Sequence, residues 1–219
     1  MKNFQLYAFV FLLCWGSLSA QQKKDPEALA KEVLSKLEEQ YKKSKSIRVK
    51  FTYEMSNEVS GVREEMNGEF IMKKNKYRLK LAEQEVINNG KTQWTYLKEA
   101  NEVNISDYSP DNEDITPEKI FTLYKKDYRS VFIEEVVEAG KVYQVVDLQP
   151  FDRNKKHFKI RIKVNKKENA IKSWEIFEKN QNRFKYLITV IDYDILVGDG
   201  YFNFKESDYP NVEVIDLRN

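Results

Sequence analysis

Val86-Ile87-Asn88-Asn89-Gly90-Lys91-Thr92-Gln93-Trp94-Thr95-Tyr96 joins two β-prone runs across an Asn-Asn-Gly turn, whose residues supply the positive φ angles of a tight reversal. The stretch predicts a β-hairpin. Past the turn, Thr92, Trp94 and Tyr96 share one face and Gln93, Thr95 and Leu97 the other, the period of two that marks a half-buried strand. Upstream, Gly68 to Lys73 and Lys76 to Ala82 alternate in the same way, with Phe70, Met72, Tyr77, Leu79 and Leu81 as the apolar set. Three or four neighbouring strands are therefore expected to line one concave surface with large side chains, Trp94 and Tyr96 among them.

Working outward, Ile47, Val49, Phe51 and Tyr53 alternate with charged residues in an earlier strand, and Asn101 to Ser106 forms a later one, giving an antiparallel meander. Asp107 to Asp114 is acidic, contains Pro110 and reads as a loop. The second half is nearly all strand: Tyr128 to Glu135, Lys141 to Leu148, His157 to Val164, Ala170 to Glu178, Arg183 to Asp192, and a short last one at Tyr201 to Phe204. Phe158, Ile160, Ile162 and Val164 face one way, and Trp174 with Ile176, then Tyr186 with Ile188, repeat the pattern. About eleven strands with one apolar and one charged face fit a strongly curved sheet or barrel better than a flat sheet.

Two helices accompany the strands. Asp25-Pro26 caps an amphipathic helix running to about Lys42, with Leu34 and Leu37 on its apolar side. Thr116-Pro117-Glu118 starts a short one with Ile120, Leu123 and Tyr124 on a common face. Inserted between strands, this second helix must lie on a face or across an opening of the sheet. It is read as a lid, and both helices as plugs for the space a large barrel encloses.

The first twenty of the 219 residues look like a signal peptide: Lys2, an apolar run from Leu6 to Leu13, then small residues to Ala20. Removal there leaves a single domain over 21–219, takes away Cys14, the only cysteine, and leaves 36 basic residues against 35 acidic ones. A charge so near neutrality gives no footprint for nucleic acid. With one histidine, His157, expected at the surface, and no cysteine, zinc sites and histidine-based nucleophilic catalysis lack their parts. The acidic pairs Glu64-Glu65 and Glu134-Glu135 point to opposite strand faces and cannot converge on a substrate. Neither an enzyme nor a bound cofactor or metal is expected. Thirteen Phe, thirteen Tyr and three Trp are what stands out.

The order of these signals resembles the outer-membrane lipoprotein carrier protein family (LolA) over essentially the whole mature chain. The resemblance rests on Phe51-Thr52, Gly68-Glu69-Phe70, the Val86 to Tyr96 run, and Phe202-x-Phe204 followed by Pro210-x-Val212-x-Val214. It implies an unclosed antiparallel β-barrel under a helical lid, working as a monomer in the periplasm. Such a protein shields lipoprotein acyl chains between the inner and outer membranes. It also implies loading by an ATP-driven inner-membrane complex and delivery to an outer-membrane acceptor. The cavity is then expected to use Phe51, Phe70, Met72, Tyr77 and Leu79, with Trp94, Tyr96, Phe158, Ile160, Trp174 and Tyr186 from later strands. Lys74 stands where the family often has a lid-latching arginine, and lysine lacks the planar fork for that latch. The alternative on the same hull is a periplasmic module that senses lipid or lipoprotein without transporting it.

Overall fold

Asp25 caps the first element as expected, its carboxylate accepting from the Glu27 amide at 3.2 Å, with Pro26 at the first helical position. The resulting helix α1 spans Pro26–Lys43 and buries Ala30, Val33, Leu34 and Leu37. Its three larger aliphatic side chains gain about 1.5–3 kcal/mol each on burial, so tertiary packing, and not propensity, holds this helix. The structure is a computed structural model and describes residues 25–109, 123–125 and 127–218. The expected signal peptide and most of the expected second helix, Ile120 included, lie outside the described residues.

Among the described residues twelve strands form a single sheet: β1 (Ile47–Asn57), β2 (Val62–Lys73), β3 (Lys76–Lys80), β4 (Gln84–Asn88), β5 (Thr92–Leu97), β6 (Glu102–Asp107), β7 (Tyr128–Glu138), β8 (Lys141–Pro150), β9 (His157–Asn165), β10 (Ala170–Glu178), β11 (Asn182–Tyr193) and β12 (Glu213–Asp216). Their spatial order is β12-β6-β5-β4-β3-β2-β1-β11-β10-β9-β8-β7, so two meanders meet where β11 returns to pair with β1. The ends of that order, β12 and β7, do not pair with each other, and the barrel is unclosed. Every pairing is antiparallel except that of β12 with β6.

The hairpin at Val86 to Tyr96 forms as the sequence predicts. Asn88 pairs with Gln93, Gly90 sits at φ +89°, and the Asn89 side chain accepts from the amides of Lys91 and Thr92 at 3.0 and 2.9 Å. A side chain at Gly90 would also meet Asn75, since a Cβ there lies 2.4 Å from its amide nitrogen. Gly68 has a different reason. It lies opposite Phe51, and a Cβ there would come within 2.3 Å of the Phe51 ring, so its bare backbone lets the ring lie flat across the sheet.

Bulges shift the register in β11 at Thr189, in β7 at Ile133 and in β9 at Phe158. Each bends its strand and strengthens the local twist, which is how a sheet this long curls. The expected strand at Tyr201 to Phe204 is instead a 3-10 turn, Asp199–Phe202, with Phe202 fully buried. The true last strand is β12, built from the Val214 region that follows.

Candidate functional site

The core lies on the concave face under α1. Phe51, Phe70, Met72, Tyr77, Ile160 and Trp174 are buried there with Leu34 and Leu37, and the half-buried Leu79 and Tyr186 pack against them. Trp174 stacks on Tyr186 with ring centres 4.5 Å apart, and Phe51 meets the same tyrosine at 5.7 Å. Burial pushes the Tyr186 phenol well above its ordinary range, so it stays neutral. The internal gap bounded by Ile47, Val49, Phe51, Phe70, Met72, Ile171, Trp174 and Ile188 measures about 10 Å³. That is about one water-sized probe, so among the described residues this centre is closed by its own side chains. Among the described residues the buried Trp174 indole N–H has no hydrogen-bond partner. Such an orphan donor costs about 1–3 kcal/mol, so the floor is not optimally satisfied at this point.

Two wider openings flank this closed centre. A cavity of about 240 Å³ lies at Tyr53, Met66, Leu81 and Tyr186. Another, of about 430 Å³, lies where the end of α1 meets the β2–β3 turn, and Ile47 and Met72 belong both to it and to the central gap.

One carboxylate ties the cover to the hull. Glu38 on α1 is 6% exposed and accepts from the Tyr124 hydroxyl at 2.6 Å, Lys125 Nζ at 2.6 Å and Lys42 Nζ at 2.7 Å. Burial alone would raise its pKa, but the hydrogen bonds from Lys125, Lys42 and Tyr124 outweigh that and hold it at about 2. Tyr124 and Lys125 belong to a 3-10 turn, Leu123–Lys125, and the Tyr124 ring packs against the core. Of the expected lid, Tyr124 is thus placed on the hull; the side chain of Leu123 and all of Ile120 lie outside the described residues. Periodicity alone leaves Glu38 as one more charge on the wet side of an amphipathic helix. Its spacing of four from Leu34 and from Lys42 is the available signal.

Several expected positions need correction. Trp94 pairs with Ile87 and Tyr96 with Glu85, which puts both rings on the face opposite Phe70, Tyr77 and Leu79. There Trp94 stacks on Phe204 at 6.5 Å and Tyr96 meets Tyr209 edge-on at 4.7 Å, so they seat the C-terminal segment on the outside of the sheet. Arg78 completes that clasp, bonding Glu85 at 2.6 Å, the Tyr201 carbonyl at 3.1 Å and the Tyr209 hydroxyl at 2.9 Å. Phe158 is the extra residue of the β9 bulge; it turns outward, half exposed, against Phe177 at 6.2 Å. The same bulge turns His157 inward, 2.7 Å from the Tyr128 hydroxyl, so the histidine expected at the surface is buried. Lys74 is exposed at the tip of the β2–β3 turn with φ +57°, and among the described residues nothing joins it to the lid segment. The tie to the lid segment is made by Glu38 instead.

Among the described residues no three His, Cys, Asp or Glu side chains gather to hold a metal, and no helix is long and apolar enough to cross a membrane. What the arrangement can do is hold apolar matter: a curved, one-sided hydrophobic surface beneath a helix and a carboxylate-tied turn.

A family model described as outer membrane lipoprotein carrier protein LolA matches residues 42–205. No curated protein matches the sequence. Among solved structures, an uncharacterized conserved protein from Thermus thermophilus is similar with a TM-score of 0.57 at 10% identity, over 86% of this chain and 99% of that one. A DUF1329 family protein from Desulfovibrio piger has a TM-score of 0.50 at 11% identity, over 84% and 99%. A LolA superfamily protein from Nitrosomonas europaea has a TM-score of 0.44 at 13% identity, over 80% and 97%.

Proposed function

This chain belongs to the outer membrane lipoprotein carrier family, and from that premise and its apolar inner face we propose that it carries lipoprotein acyl chains across the periplasm. In this reading, the protein enters the periplasm behind a cleaved signal peptide and acts as a monomer. It receives cargo from an ATP-driven inner-membrane release complex and delivers it to an outer-membrane acceptor.

The observation that carries the reading is the concave face itself: a continuous aromatic and aliphatic surface on an unclosed sheet, spanning β3 to β8, with a residual gap of only about 10 Å³. A carrier must expand to load and collapse on release. Each methylene moved from water to the hull gains about 0.8 kcal/mol, about 10 kcal/mol for a long chain. The donor and acceptor are bilayers of equal apolarity, so the net drive is small and affinity must stay moderate for delivery to occur. Displacing Tyr186 and the turn at Tyr124 on loading supplies the opposing cost that keeps it so.

The test is transfer of an acylated lipoprotein from donor to acceptor vesicles, with native mass spectrometry of the carrier between the two. A one-to-one complex that forms and then empties into the acceptor is the expected result. A complex that forms but never empties would make the protein a sensing module, and no complex at all would sink the acyl-binding reading.

A further inference from the structure

Where the end of α1 meets the β2–β3 turn, the 430 Å³ cavity is rimmed by Lys42, Lys43, Lys45, Lys73 and Lys74. Two of the five are already engaged. Lys42 bonds Glu38 at 2.7 Å, and Lys73 reaches Asp199 at 3.1 Å and the Val197 carbonyl at 3.0 Å. Lys43, Lys45 and Lys74 are exposed, and among the described residues no carboxylate pairs with their ammonium groups. The nearby Asp194 is taken by the Lys45 backbone amide at 2.7 Å. The end of α1 brings about half a negative charge to the site, too little to offset three unpaired cations.

Beneath the rim the wall is apolar. Ile47 and Met72 line this cavity, and the same two side chains line the central gap. A free anion would leave that wall bare, and an uncharged lipid would leave the lysines unmatched. A molecule with an anionic head and an acyl tail satisfies both parts.

We infer that this opening is the mouth of the hull and holds the head of an anionic amphiphile, a carboxylate or phosphate ester, whose chain passes Ile47 and Met72 into the core. This rests on the acyl-binding reading of the hull. It names a ligand class that the reading leaves open, and it gives Lys74 a role at the mouth in place of the lid latch.

The probes are lysophosphatidylglycerol and lysophosphatidylcholine with the same acyl chain, below their micellar concentrations, with inorganic phosphate as competitor. Binding is read by Trp174 fluorescence in a Trp94→Phe chain starting at Gln21, which also lacks Trp15. The anionic lysolipid should bind about tenfold more tightly, and the difference should shrink toward about 0.5 M salt. In the Lys43→Gln, Lys45→Gln, Lys74→Gln triple variant, affinity for the anionic lysolipid should fall to that for the zwitterionic one. Circular dichroism checks its fold, and Lys74→Glu alone should act in the same direction.

Equal affinities in the unaltered mouth would remove the head site and leave the acyl hull standing. A preference that survives in the triple variant would place the head elsewhere. Phosphate competing at lysolipid concentrations would make this a free-anion site, and a triple variant defective only on anionic vesicles would make it a membrane contact. Neither lysolipid binding at all would overturn the hull reading and this one together.

Discussion

Glu38→Gln isolates the tie between α1 and the turn at Tyr124. The substitution keeps the side chain's size and an oxygen for the Tyr124 hydroxyl, but removes the charge that faces Lys42 and Lys125. Holding a carboxyl at about 2, against an ordinary 4.5, corresponds to about 3 kcal/mol. The two lysines are 61% and 45% exposed, so solvent screening reduces the realised contribution to about 1–2 kcal/mol. For a chain of this length that is a fall in Tm of about 2–8 °C. It also raises the population with the turn released by about 5- to 30-fold. The sign with pH follows from the lowered pKa: the contribution is complete above the unfolded value near 4.5 and is lost as pH falls toward 2. Thermal melts of both proteins at pH 7 and near pH 2.5 should therefore converge at the acid end. Stopped-flow uptake of an apolar fluorescent probe at pH 7 should be faster in Glu38→Gln. Unchanged uptake together with an unchanged Tm would refute the reasoning and reduce the cluster to surface charge.

Gly68→Val places a side chain against the Phe51 ring, 2.3 Å from its ideal Cβ; a loss of about 1–3 kcal/mol is expected in denaturant melts, with recovery when Phe51→Leu is added. His157 is held below its ordinary pKa by burial and by Lys155. Stability should therefore be full above pH 6.5 and decline as pH falls through the lowered folded value; Tm measured between pH 8 and pH 5 checks this, and His157→Phe should flatten the profile. Leu79→Glu puts a carboxylate on the inner face and should abolish binding of an apolar fluorescent probe, whereas Trp94→Phe on the outer face should leave it intact; equal losses would show the two faces to be wrongly assigned.

Period-two alternation is enough to find the strands, because one charged face and one apolar face leave few other ways to arrange them. Periodicity says which residues of one strand share a face, but the relation between strands depends on register. Trp94 and Tyr96 show the limit: Asn88 pairs with Gln93 across the turn, so the rings fall opposite Ile87 and Glu85, on the outer side. A bulge is invisible to the same method, and a single one at Phe158 sends that ring out and His157 in. The parallel pairing of β12 with β6 joins residues more than a hundred apart, so no local pattern announces it. Glu38 escapes for another reason: its burial depends on a turn supplied from far along the chain, at Tyr124 and Lys125. The hull is legible where a ring or aliphatic side chain has no alternative to burial, as at Phe51, Phe70, Met72, Ile160 and Trp174.

The central claim, that acyl chains occupy the inner face, is tested most directly by contact quenching. In a chain starting at Gln21, Trp94 and Trp174 are the only tryptophans, one on each face of the sheet. A lipid with brominated acyl chains quenches an indole only on contact. With Trp94→Phe, this lipid should strongly quench Trp174 at stoichiometric loading. Quenching of Trp94 in a Trp174→Phe chain, with Trp174 emission untouched in the first protein, would place the chains on the outer face and contradict the claim.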